Sequence, residues 1–209
     1  MSHTETSLNL LVLKVTQTSE HFLKVDFLSA NEGLESCLFR YSPKKAIPIK
    51  PEIFDTANVS FDLKKTLKPR FIKEYFPAIK RSQIGMRYKQ LVFASKFSQF
   101  LIENASHAPD PVELFELVSR SLDAYENGYA PEIITLKVLY NFLKSEGFPV
   151  QASWWKSIQK SHQVIAKQLL KTPLSKGSQS VEDAEFALYL LNHLSLWIER
   201  ESDLKSIEF

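Results

Sequence analysis

Between residues 38 and 81, eleven basic side chains stand against four acidic ones, a net charge of +7 within a chain whose total is only +2. The cations are Arg40, Lys44, Lys45, Lys50, Lys64, Lys65, Lys68, Arg70, Lys73, Lys80 and Arg81; the acids are Glu52, Asp55, Asp62 and Glu74. Such a density raises a positive potential over one surface, and its chemistry is the neutralisation of a polyanion, most often nucleic acid. Lys44 and Lys45 beside Pro43 are expected phosphate contacts, as are Lys64, Lys65, Lys68 and Arg70, with Arg40 and Lys73 completing the set. Tyr41, Phe71 and Tyr75 could stack on bases, but their parity along the chain favours core packing.

Chemistry that makes or breaks bonds is not written here. Five glycines in all leave neither a phosphate-cradling loop nor a dinucleotide fingerprint. The histidines His3, His21, His107, His162 and His193 are scattered, with no cysteine cluster to complete a zinc site. Cys37 falls on an inward parity, where a thiol is inert, and a single cysteine suits a reducing compartment. Glu182 and Asp183 sit where a helix start favours carboxylates. The chain is therefore expected to be no enzyme and to carry no cofactor and no metal.

The elements that must position the cations divide by period. Residues Leu23, Val25 and Phe27 alternate with Lys24 and Asp26, the pattern of a half-buried strand. Leu8 to Val15 is a nearly continuous apolar run, as in a strand covered on both sides. Leu34 to Tyr41, Ile53 to Leu63 and Arg70 to Phe76 complete five strands, separated by turn residues such as Ala30-Asn31-Glu32-Gly33. Five short strands with little room for helix predict a small closed antiparallel barrel, of which the OB-fold is the best-known form. From about Ser82 the period becomes 3.6. Helices are expected from Tyr88, from Pro111 after the Asp110 cap, from Pro131 to Gly147, from Trp154 toward Pro173, and after a Ser180 cap. The predicted organisation is an OB-fold nucleic-acid-binding domain over 1–80 and an all-α helical bundle over 81–209. The apolar stretches fall well short of the ~20 residues that span a bilayer, and Met1 to Ser7 lacks signal-peptide character, so a soluble cytoplasmic protein is expected.

In their order and spacing, several segments resemble the RecO family of bacterial recombination mediators. They are Leu10-Leu11-Val12-Leu13-Lys14, Ser19-Glu20, Leu23 to Leu28, Ser29 to Gly33, Pro51 to Leu63 followed by Arg70-Phe71-Ile72-Lys73-Glu74, and the helical stretch from Tyr88 to Gly147-Phe148. Two departures stand out. The zinc-binding cysteines of many relatives are missing around Phe148-Pro149-Val150 and Trp154-Trp155, which rules out a zinc module by ligand count. The segment Phe39 to Lys45 is also shorter than usual and lacks glycine.

The resemblance implies a non-catalytic DNA-repair protein of the nucleoid. Such a protein binds single- and double-stranded DNA, anneals strands, and works with a RecR-like ring protein and single-strand-binding protein to load the recombinase. The docking place for the acidic, Phe-terminated tail of single-strand-binding protein is expected at Lys137, Tyr140 and Lys144, spaced i, i+3 and i+7 on one helix face. The alternative is a protein-interaction module whose barrel has lost DNA binding.

Overall fold

A thirteen-residue strand, β1 (Ser7–Ser19), organises the first half of the chain. Its early part pairs antiparallel with β4 (Thr56–Phe61), from Ser7↔Ser60 to Leu11↔Thr56, and its later part with β2 (Phe22–Ser29), from Leu10↔Ser29 to Ser19↔Phe22. Next to β2 lies β3 (Gly33–Arg40), and β5 (Arg70–Ile79) runs antiparallel to β4. The ring closes between β3 and β5 through Cys37↔Arg70, Leu38↔Phe71 and Phe39↔Ile72, and this pair is parallel. The result is a closed, five-stranded, OB-like barrel with strand order β1-β2-β3-β5-β4. It is mixed where an antiparallel barrel is predicted. The reason is geometric: alternation around a closed ring needs an even number of strands, so five force one parallel pair.

The computed structural model describes residues 7–41, 49–61, 69–106, 108–174 and 179–209. Leu8, Leu10, Val12, Val25, Phe27, Cys37, Val59, Phe61, Ile72 and Tyr75 fill the barrel. Leu11 and Leu13, on the opposite parity, are buried as well, so the apolar run of β1 is covered on both faces. Burial pushes the Cys37 thiol up to about 12, far from a nucleophilic thiolate. Arg81 is buried and spends its guanidinium on the fold, donating to the Phe54 carbonyl at 2.8 Å and to Thr56 Oγ1 at 2.9 Å. Phe54 itself has φ of 72°, a left-handed conformation costly for a bulky residue, and Val12 O accepts from its amide at 2.8 Å.

Seven helices follow among the described residues: α1 (Ser82–Met86), α2 (Tyr88–Asn104), α3 (Pro111–Glu126), α4 (Pro131–Ser145), α5 (Trp154–Ser157), α6 (Lys160–Lys171) and α7 (Val181–Glu201). Their ends follow cap chemistry. The Glu113 amide donates to Asp110 Oδ1 at 2.9 Å, while Ser180 and Asp183 form a reciprocal capping box. Gly128 and Gly147 take φ of 79° and 83°, the left-handed turn that stops α3 and α4. The expected helix from Trp154 is split in two, because Ile158 is extended and Gln163 donates its amide to the carbonyls of Trp155 and Ile158. Buried on almost every side, α4 forms the axis of the helical core.

The chain divides into two compact units, Met1–Arg81 with Ala105–Glu116, and Ser82–Asn104 with Leu117–Phe209. Among the described residues no helix is long and apolar enough to cross a membrane.

Inside the barrel Tyr75 donates its hydroxyl to Asp55 Oδ2 at 2.9 Å. Burial raises the Asp55 carboxyl above its ordinary value, and the tyrosine bond partly offsets this by favouring the ionised form. Tyr75→Phe removes the side-chain donor of this buried carboxylate and should destabilise the chain by about 1–3 kcal/mol at neutral pH. Since the missing bond served the charged form, the gap between the two proteins should narrow as pH falls through the folded Asp55 pKa. Urea titrations at several pH values measure both effects.

Candidate nucleic-acid interface and helical groove

On β2, β3 and β5 the side chains that do not enter the barrel share one outer face. Phe22 lies opposite Arg40, and Lys24 and Phe71 flank Leu38 on either side. Phe22 and Phe71 meet edge to face, with ring centroids 5.9 Å apart, and both stay half-buried, as does Leu38. Arg40 and Lys73 each follow the last paired residues of the parallel ladder, Phe39 and Ile72, and both are exposed. The face is therefore an aromatic and aliphatic centre with cations at its margin. Such a centre can stack on a planar base while the cations reach phosphate.

Its charge is partly spent. Lys24 is 2.8 Å from Asp26, which also accepts from Ser36 Oγ. Arg70 grips Glu32 with both terminal nitrogens, one at 3.0 Å, and its guanidinium lies 4.4 Å above the Phe61 ring. Hydrogen bonding to that carboxylate makes Arg70 hold its proton still more tightly. Lys80, beyond the other end of β5 where it pairs with β4, is bonded to Glu52 at 3.3 Å.

Of the eight cations expected to meet nucleic acid, Arg40, Arg70 and Lys73 are brought to the β3–β5 seam. Lys44, Lys45, Lys64, Lys65 and Lys68 lie outside the described residues. Along the chain, the connection holding Lys44 and Lys45 leaves from Arg40, and the one holding Lys64, Lys65 and Lys68 enters at Arg70. Of the aromatic candidates, Tyr75 is in the core. Phe71 is not, because it alternates with the buried Ile72. Phe22 escapes sequence reasoning, since the parity of its strand marks it only as outward.

In the helical unit, Tyr140 and Lys144 line a groove of about 430 Å³ together with Trp155, Lys167, Leu170 and Lys171. Three ammonium groups thus rim an aromatic and aliphatic floor, and Tyr140 rests against the buried Trp154 ring with centroids 5.8 Å apart. One tryptophan of the pair is core and its neighbour is half-exposed, as the 100° step of a helix requires. Lys137 is elsewhere. It lines a separate cavity of about 100 Å³, where it donates to the carbonyls of Leu170 at 3.0 Å and Thr172 at 2.6 Å. Burial lowers its pKa. Among the described residues no group of histidine, cysteine and carboxylate side chains could hold a metal ion.

Scanned against known protein families the chain matches none, and no curated protein matches it.

Lys137 and Lys144 should behave differently on substitution. Lys137→Met removes the donor that closes the end of α6 and should cost about 1 kcal/mol of stability. Lys144→Met, at an exposed site, should stay within about 0.5 kcal/mol of the parent in the same thermal melts.

Proposed function

We propose that the chain is a non-catalytic DNA-binding protein that anneals strands in recombinational repair. The observation that supports this most is the outer barrel face. There the Phe22–Phe71 pair lies beside Arg40 and Lys73. Aromatic rings would stack on bases of unrelated sequence, and the cations would neutralise phosphates of the strands being brought together. Neutralisation lowers the repulsion between two strands, which is all that annealing requires of a protein.

On this reading the lysine-rimmed groove at Tyr140 and Lys144 receives the acidic, Phe-terminated tail of single-strand-binding protein. The ring would enter between Tyr140 and Trp155, and the carboxylates would meet Lys144, Lys167 and Lys171. A RecR-like ring protein would be the further partner in loading the recombinase, in the cytoplasm at the nucleoid. No enzyme activity, cofactor or zinc enters the scheme.

The second reading, an interaction module that no longer handles DNA, draws on the ion pairs that occupy Arg70 and Lys24. Fluorescence anisotropy with unrelated single-stranded oligonucleotides separates the two. Phe22→Ala and Phe71→Ala should each weaken binding by about 1–3 kcal/mol per base stacked. Arg40→Glu with Lys73→Glu should flatten the salt dependence by about 0.7 for each phosphate no longer neutralised. Unaltered affinity in all three variants removes this face from the DNA reading; no binding even at low salt removes that reading altogether and leaves the groove as the functional element.

A further inference from the structure

The segment Lys205–Phe209, outside any helix or strand, lies in a cleft between α2 and α7 that recognises it as a bound peptide would be recognised. The side-chain amide of Asn104 serves the Lys205 backbone twice: its oxygen accepts from the Lys205 amide at 2.8 Å and its nitrogen donates to the Lys205 carbonyl at 3.1 Å. Two residues on, the Ile207 amide donates to Ser195 Oγ at 3.3 Å, and the Ser195 hydroxyl donates to the Ile207 carbonyl. Lys96 Nζ donates to the Glu208 carbonyl at 2.5 Å and stands 5.8 Å from the Phe209 ring centroid. That ring stacks on Phe93 with centroids 5.4 Å apart, and Ile207 is buried.

Side chains of the helices thus read the backbone of this segment, and only Ile207 and Phe209 are seated as anchors. The side chains of Lys205, Ser206 and Glu208 point to solvent. A cleft built this way does not require this particular sequence. We infer that it is a docking site for an extended segment of another protein carrying an aliphatic and an aromatic residue two positions apart, and that Lys205–Phe209 occupies it in cis until displaced. A second copy of the chain is the poorer occupant. Its segment would make the same interactions without the high effective concentration that the short link Ser202–Leu204 gives the resident one. A partner with better-fitting anchors can win that competition. The inference is independent of DNA binding by the barrel.

The test uses the full chain and a fluorescein-labelled peptide, Leu-Lys-Ser-Ile-Glu-Phe, amidated at its end. Ile207→Ala with Phe209→Ala vacates the cleft, so this double variant should bind the peptide at least about tenfold more tightly than the parent, whose competent fraction is small. Adding Asn104→Ala should remove the gain. Alanines at the three solvent-facing peptide positions should leave affinity unchanged, and glycines at the two anchors should abolish it. Hydrogen exchange of the Lys205 and Ile207 amides in the unaltered chain guards against a misfolded variant, because saturating peptide should accelerate it. Either the tenfold gain or the faster exchange, with the stated dependence on the anchors, supports the inference. Absence of both overturns it, as does indifference to the anchors. A concentration-dependent dimer that the peptide dissolves assigns the cleft to a second copy and overturns the partner reading.

Discussion

Three residue pairs hold this architecture closed. Without Cys37↔Arg70, Leu38↔Phe71 and Phe39↔Ile72, the first half of the chain would be an open sheet with two exposed edges, β3 and β5, ready to pair with another molecule. The seam is parallel because an odd ring admits no other solution, and it is short. Its inner side is secured by Cys37, Phe39 and Ile72, which pack on the barrel core, and by the Tyr75 ring against Phe39 with centroids 6.2 Å apart. Its outer side gathers Leu38, Arg40, Phe71 and Lys73. The pairing that satisfies the backbone therefore also creates the composite face, since none of these four residues is near its partner strand in sequence.

That dependence explains what could be read from residues alone. Period-two alternation in β2 is unambiguous because Leu23, Val25 and Phe27 face a filled core while Lys24 does not. Helix ends are equally legible at Asp110, Ser180, Gly128 and Gly147, where one side chain or one left-handed residue decides the matter. The alternation of β5 is poor for a physical reason: its pairing with β4 shifts register twice, between Thr56 and Ala57 and between Ser60 and Phe61. A bulge breaks parity, so a pattern cannot say on which face Phe71 lies. The break between α5 and α6 carries no proline or glycine. It rests on Gln163, whose amide satisfies two carbonyls, and nothing in a polar residue on a helix announces that.

The helical site shows the same boundary between local and tertiary information. Tyr140 and Lys144 are four apart on α4, a relation any helix guarantees. Lys167 and Lys171 are four apart on α6 by the same rule, but only packing sets the two pairs across one groove. Lys137 obeys the spacing and still ends in a separate cavity. Its ammonium group finds the last carbonyls of α6, which have no intrahelical donor. A cation near orphan carbonyls satisfies the fold first, and spacing arguments do not see that competition. Arg81 illustrates it too: counted among the basic residues of the first half, it is buried and bound to Phe54 and Thr56.

The composition of the outer barrel face also constrains what it can distinguish. Phe22, Leu38 and Phe71 offer surface and polarisable rings but no hydrogen-bond donor or acceptor for a base edge, so on the proposed reading recognition is blind to sequence. On the same reading it would not be blind to strandedness. Stacking needs bases already free of a helix, whereas phosphates are equally available in duplex and single strand. A single strand would therefore be held by rings and cations together, and a duplex by cations alone. Two strands bound on charge and stacking lose the stacking share as soon as they pair. The annealed product would then be released from the same face that gathered its strands, with no chemical step required.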